Sequence, residues 1–302
     1  MHYGKDSARK NCLKSRNIPF LIVVVLLWGS NYSLVKIGLS FVSPSTLLLQ
    51  RFLISVAVLF PLFLLLRKKL PRDMGTLGRL AIYGVLYTSV NAAQLVGMVG
   101  ESSGISAVIT YTQPLFVLGM ASPFLNERIT TNKILGAAIG FTGVVILLIN
   151  QMNSFTLESN LVLLLTALLW AISVVFYKRF LGLADPFVAV FLQMIIGSVL
   201  FIALDLGIGI FTFPANMKYV AIVLYSSIAG LAIANVLWLH LLKEEEATAL
   251  SSSVLLVPAV ALLFGWGLLG ENLGFESFIG SALTLGGVFL ANLTRNRSYA
   301  SP

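Results

Sequence analysis

Ten apolar runs follow one another along the chain with only short connections, at about residues 18–39, 45–66, 78–98, 104–125, 132–150, 159–179, 186–210, 218–242, 247–269 and 274–294. Each has about the twenty residues that an α-helix needs to cross the hydrocarbon core of a bilayer. Continuous apolar runs of this length are unlike the short alternating strands of an outer-membrane barrel. The expected fold class is therefore all-α integral membrane, with ten transmembrane helices. Composition agrees. Of 302 residues, 58% are hydrophobic and 11% are charged, against about 25% charged in soluble domains, and the mean hydropathy is +0.93. A soluble enzyme, a nucleic-acid-binding domain and a secreted disulfide scaffold are excluded, and the first partner of the chain is the lipid bilayer.

The net charge of +8 has a pattern. Seventeen of the twenty Lys and Arg fall before the first run, after runs two, four, six and eight, or after the last. The other three are Lys218, with Lys36 and Arg51 at helix ends. Basic residues collect on the cytoplasmic side, so both termini are expected in the cytoplasm and the protein in the plasma membrane of a prokaryote. The basic stretch before Ile18 resembles the start of a signal peptide, but the apolar run after it is too long and lacks a cleavage site. One cysteine, Cys12, permits no internal disulfide. His2 and His240 have no zinc-site spacing and no Walker A sequence occurs, so no metal, cofactor or nucleotide motor is expected.

The two halves repeat. Trp28 and Trp170, Lys36 and Lys178, and Pro44 and Pro186 lie 142 residues apart. Asn91 and Asn235, Pro114 and Pro258, Glu127 and Glu271, Gly136 and Gly280, and Gly143 and Gly287 lie 144 apart. Each copy holds five runs. Five is odd, so the second copy enters the membrane from the opposite side, and the halves become inverted repeats. Secondary transporters use this architecture, with substrate bound near the midplane between the repeats.

Polar residues inside membrane helices are costly and usually face a cavity or a partner helix. Trp28, Tyr32 and Lys36 follow i, i+4, i+8 and share one helix face with Asn31 nearby. They read as an aromatic wall with a cation at its outer mouth, suited to an anionic or zwitterionic ligand. The plain alternative is packing for Trp28 and snorkelling for Lys36. Arg51, whose repeat mate is Gln193, either binds a carboxylate, closes an outer gate, or snorkels. Asn91 and Gln94 share a face of the third run, and their mates are Asn235 and Trp238. The four read as a polar pocket with an aromatic side, or as interhelical hydrogen bonds. Tyr111 and Gln113 precede Pro114, and Pro258 mirrors it in the ninth run. A proline removes a backbone donor, so the pair reads as hinges or as static kinks. Glu127 and Glu271, each just before a new helix, read as complements to the helix dipole. Gly136, Gly140 and Gly143, with Gly280, Gly286 and Gly287, read as close packing within the fold or in a homodimer. His240 near the end of the eighth run offers proton coupling or is simply hydrated.

Tyr111-Thr-Gln-Pro-Leu-Phe116, Pro123-Phe-Leu-Asn-Glu127 and the run Gly136 to Gly143, with Trp28-Gly-Ser-Asn-Tyr32 and Lys36 before them, resemble the EamA-type branch of the drug/metabolite transporter superfamily. The second half repeats them more weakly through Trp170, Lys178, Val257-Pro258, Gly270-Glu271-Asn272 and Gly280 to Gly287. The resemblance implies a tail at 1–17, five-helix repeats at 18–150 and 158–294, and a tail at 295–302. It also implies a central cavity between helices 1, 3, 4, 6, 8 and 9, with helices 5 and 10 outside. The expected function is secondary transport, outward, of a small polar metabolite such as an amino acid, with a proton or an exchanged substrate as coupling partner. Multidrug efflux is the runner-up, and a channel or a membrane-embedded enzyme belongs to a different class. Trp28, Asn31, Tyr32, Lys36, Arg51, Asn91, Gln94, Tyr111, Gln113, Trp170, Gln193, Asn235 and Trp238 are the expected cavity residues, with Pro114 and Pro258 as hinges.

Overall fold

The computed structural model describes residues 15–125, 131–149, 154–208, 212–245, 247–254, 256–271 and 274–292. The expectation for Glu127, most of the expected tail at 1–17 and all of that at 295–302 lie outside them. Every element among the described residues is helical. They are α1 (Ile18–Gly38), α2 (Pro44–Leu65), α3 (Met74–Val99), α4 (Ser103–Thr110), α5 (Gln113–Leu125), α6 (Thr131–Ile149), α7 (Ser154–Phe180), α8 (Pro186–Ile208), α9 (Met217–Tyr225), α10 (Ala234–Glu244), α11 (Ala247–Ser253), α12 (Leu256–Leu269) and α13 (Phe275–Asn292). A π-helical stretch, Ser226–Ile233, joins α9 to α10 into one rod. Six spans are long and apolar enough to cross a bilayer, and shorter apolar helices make up the other passes.

Helix starts follow from local chemistry. Pro44 and Pro186 open α2 and α8, where a missing N–H costs nothing. Ser43, Asp73, Ser102 and Asn216 cap α2, α3, α4 and α9 by accepting backbone N–H groups. Asp185 accepts from Phe187 N at 2.9 Å and Val188 N at 3.3 Å, and binds Lys68 Nζ at 2.6 Å. Partial burial opposes the Asp185 charge, but Lys68 and the two amides outweigh it and hold the carboxyl below its ordinary value.

The fourth and ninth apolar runs are not single helices. The fourth breaks at Tyr111–Thr112 and the ninth after Ser253, and Pro114 and Pro258 sit near the starts of the helices that follow, α5 and α12. A proline cannot donate to the carbonyl four residues back and its ring crowds that carbonyl, so the ladder restarts at the proline. The breaks occupy equivalent places in the two repeats.

The halves interlock. α1 packs on α9, the π stretch, α10 and α12 of the second repeat, and α7 packs on α3, α4 and α5 of the first. The second helices α2 and α8 pair with each other, as do the fifth-pass α6 and tenth-pass α13. These contacts between repeats are thus symmetric. The α6–α13 seam accounts for the glycine stripes. A Cβ on Gly287 would lie 2.2 Å from Gly140 N, and one on Gly143 would lie 2.4 Å from Thr284 N. Only glycine permits that approach. The close packing predicted for Gly140, Gly143 and Gly287 is therefore made within the chain, whereas Gly286 meets nothing within 4 Å.

Candidate functional site

A cavity opens where the two repeats meet. Its wall is built by Trp28, Asn31 and Tyr32 of α1, Arg51 of α2, Tyr87, Val90, Asn91 and Gln94 of α3, Thr110 and Tyr111 at the α4 break, Trp170 of α7, and Gly230 and Leu231 of the π stretch. Its volume is about 50 Å³, room for roughly three to five water molecules, so the helices are drawn in around it. α2 contributes through Arg51, and none of the described residues of α11 or α12 is on this wall. The second pass thus reaches the cavity through Arg51, as expected of that residue, whereas the ninth pass, which the resemblance placed around the cavity, adds no described residue to this wall.

Eight of the expected residues meet here: Trp28, Asn31, Tyr32, Arg51, Asn91, Gln94, Tyr111 and Trp170. Trp28 and Trp170, repeat mates, meet edge to face at 5.7 Å, and Trp238 stands behind them at 5.3 Å from Trp28 and 6.0 Å from Trp170. Tyr111 is edge-on to Trp170 at 5.1 Å. These rings make an apolar wall. The polar lining comes from the first repeat, while the second supplies Trp170, Gly230 and Leu231. The duplicated scaffold therefore carries an asymmetric site.

Arg51 is 1% exposed, and its Nε has no hydrogen-bond partner among the described residues. No ion pair to Arg51 occurs among them either. A buried, unpaired guanidinium is expensive, and a ligand anion would relieve it.

The other expected residues are elsewhere. Asn235 and Trp238 do not face Asn91 and Gln94 across the cavity. Asn235 Oδ1 accepts from Tyr87 Oη at 2.5 Å, its amide nitrogen donates to Leu231 O at 2.6 Å, and Trp238 is taken up by the tryptophan cluster. Gln113 and Gln193 are fully buried away from the cavity wall, with amide groups that find no partner among the described residues. Lys36 is not on the cavity wall. It lies a full turn beyond, where its Nζ donates to Met98 O at 2.6 Å and Val99 O at 3.0 Å, the last carbonyls of α3. Glu271 does cap a helix, but that helix is α4 and not the one it precedes. It accepts from Ser103 N at 2.7 Å, Ser103 Oγ at 3.0 Å and Gly104 N at 3.2 Å. His240 lies 3.7 Å from Glu244 and edge-on to Phe20, far along α10 from the cavity-lining Leu231.

Tyr87 and the π stretch were missed by the sequence reading. Tyr87 is one turn before Asn91 on the same face, and that spacing was the signal. The π stretch has a clear consequence. The Ala234 N–H bonds to Ala229 O, five residues back. Gly230 O, which an α-helix would have paired with Ala234, instead accepts from Trp28 Nε1 at 3.2 Å. The irregular turn thus anchors the aromatic wall.

Residues 16–149 and 158–293 each match the EamA-like transporter family. The chain belongs to that family. Among EamA-like relatives, a protein of Archaeoglobus fulgidus described as an uncharacterized transporter is 29% identical over 89% of this chain and 96% of its own. A Salmonella typhimurium protein described as a "Probable amino-acid metabolite efflux pump" is 26% identical over 91% of this chain and 95% of its own. A solved crystal structure, 20% identical, superposes with a TM-score of 0.71 over 94% of this chain and 99% of that one, and supports the fold. The protein is thus a multi-pass membrane transporter of the EamA type, with two inverted five-helix repeats.

Proposed function

We propose that this EamA-like protein is a secondary transporter that exports a small carboxylate-bearing metabolite with an apolar body, an amino acid foremost, and is not an enzyme. Arg51 carries the reading: a buried guanidinium with no ion pair among the described residues, on a cavity wall that also carries the rings of Trp28, Trp170 and Tyr111. The guanidinium takes the carboxylate, and the rings take the apolar part. A hydrophobic cation, the cargo of multidrug efflux, would meet Arg51 unfavourably. Alternating access follows from the inverted repeats, which can narrow either end at similar energy. The charge pattern supports cytoplasmic termini and hence a plasma-membrane exporter. Coupling is to a proton or to an exchanged substrate.

The test is counterflow in proteoliposomes against a panel of amino acids and their deaminated acids, at two pH values. Saturable exchange of carboxylate-bearing compounds supports the reading, and a pH dependence of uphill flux selects the proton over exchange. Exchange of lipophilic cations alone, with none of the acids, would falsify it.

A further inference from the structure

The hydrogen-bond chain behind the cavity fixes more than structure. The Asn235 amide nitrogen donates to Leu231 O at 2.6 Å, which turns its oxygen toward Tyr87. The Tyr87 hydroxyl then donates its one hydrogen to that oxygen at 2.5 Å. A phenol has one hydrogen and two lone pairs. With the hydrogen committed, the Tyr87 oxygen can only accept. Nearby on the same wall, Asn31 Oδ1 is buried without a donor among the described residues. A buried acceptor without a partner is costly, so Asn31 Oδ1 calls for a donor that the described residues do not provide, while the Asn91 amide bears on one lone pair of Tyr87 and a phenol oxygen has a second. Arg51, on the same wall, is the opposite: a cation whose Nε has no acceptor among the described residues. One cationic donor and a set of forced acceptors around one small space match a ligand that carries an anion and an N–H cation together.

We infer that Tyr87 accepts a hydrogen bond from a substrate ammonium, and that Asn235 is the positioning residue that holds Tyr87 in its accepting state and so makes the site prefer zwitterions to bare carboxylates. The inference rests on the reading of Arg51 as the carboxylate site. Without Asn235, Tyr87 could turn its hydrogen into the cavity and donate to a carboxylate. The preference for an ammonium would then fall without loss of the apolar wall. Asn235 is the repeat mate of Asn91, and Leu231 is the mate of Tyr87. The second copy thus gives up a cavity polar group and uses its asparagine to set the first copy's tyrosine.

Tryptophan fluorescence of the full-length protein in nanodiscs provides the test, because Trp28, Trp170 and Trp238 cluster at the cavity while Trp266 is 70% exposed. The probes are L-leucine and L-phenylalanine, each paired with its deaminated acid, isocaproate and hydrocinnamate. The unsubstituted protein should bind at least one amino acid about tenfold or more tighter than its acid, the size of a hydrogen bond to a charged group. Tyr87→Phe should bring that ratio to within about threefold by weakening the amino acid alone. Asn235→Leu should do the same, and Asn235→Ser, too short to reach Tyr87, replaces it if the leucine variant does not fold. Equal binding of acid and amino acid by the unsubstituted protein overturns the inference and leaves the carboxylate reading standing. Binding of none of the four probes removes both. A preserved ratio in Tyr87→Phe, or an equal loss for both members of a pair, overturns the inference and reduces Tyr87 and Asn235 to packing.

Discussion

Lys36 and Lys178, repeat mates, make the same contact at opposite ends of the bundle. Lys36 Nζ holds Met98 O and Val99 O at the end of α3, and Lys178 Nζ holds Leu242 O at 2.7 Å and Glu245 O at 2.6 Å at the end of α10. Met98 and Leu242 are themselves 144 apart. A cation on the last carbonyls of a helix is favourable. Each contact also ties the first helix of a repeat to the third at one membrane face. The neighbouring groups differ: Glu101 and Glu271 bear on Lys36, whereas near the second site Glu244 is bound by Arg16 and Asn17. The duplication has thus produced a lysine latch for each end.

Opening one end should therefore be favoured by removing its latch. A cysteine at Thr110, in a Cys12→Ser background, reports on the cavity. Lys36→Gln should raise its labelling by an impermeant thiol reagent applied from the end carrying residues 99–103, by about fivefold, equivalent to ~1 kcal/mol. Lys178→Gln should do so from the other end. Equal effects from both sides for either variant would show that the lysines hold the fold and not a gate.

Arg51 should show function and stability moving in opposite directions. Arg51→Gln removes an uncompensated buried charge, so the melting temperature should rise by about 2 °C or more. Binding of carboxylate-bearing amino acids should weaken by about tenfold or more, because a charge-assisted hydrogen bond is lost. A fall in both quantities would mean that Arg51 supports the packing of α2.

The helices were legible because length and apolar content alone mark a membrane span. The tryptophan wall was legible because Trp28 and Trp170 keep their repeat offset. Lys36 was not, since helical spacing gives the angle around the axis but not which neighbouring carbonyls lie at its height. It shares the Tyr32 face yet ends one turn past the cavity, among the terminal carbonyls of α3. Tyr87 shares a helix face with Asn91, but its partner Asn235 is brought to it only by the tertiary structure. The π stretch has no residue preference to reveal it. Its trace is a spacing: eighteen residues separate the cap Asp73 from Asn91, and nineteen separate the cap Asn216 from Asn235.

The α6–α13 seam predicts a sharp contrast between adjacent glycines. The Cβ of Gly287→Ala would lie 2.2 Å from Gly140 N and 2.6 Å from Gly136 O, backbone atoms that cannot turn aside. The helices must part, at a cost of about 1–3 kcal/mol. Gly286→Ala meets nothing within 4 Å and should change stability by less than ~0.5 kcal/mol. Thermal unfolding of the two variants in the same detergent checks this. Similar melting temperatures would place the seam elsewhere.

The extra residue of the eighth pass can be removed. Deleting Ile228 would give the stretch from Asn216 to Asn235 the same length as its mate from Asp73 to Asn91, which is an uninterrupted α-helix. The shortened chain should therefore still fold. Gly230 O would return to the helix ladder, Trp28 Nε1 would lose its acceptor, and the aromatic wall would loosen. The expected result is a near-unchanged melting temperature, a red-shifted tryptophan emission and a fall of about tenfold in transport at low substrate concentration, the size expected for a misplaced binding wall. Unchanged emission and transport would show that the π stretch does no more than absorb an insertion.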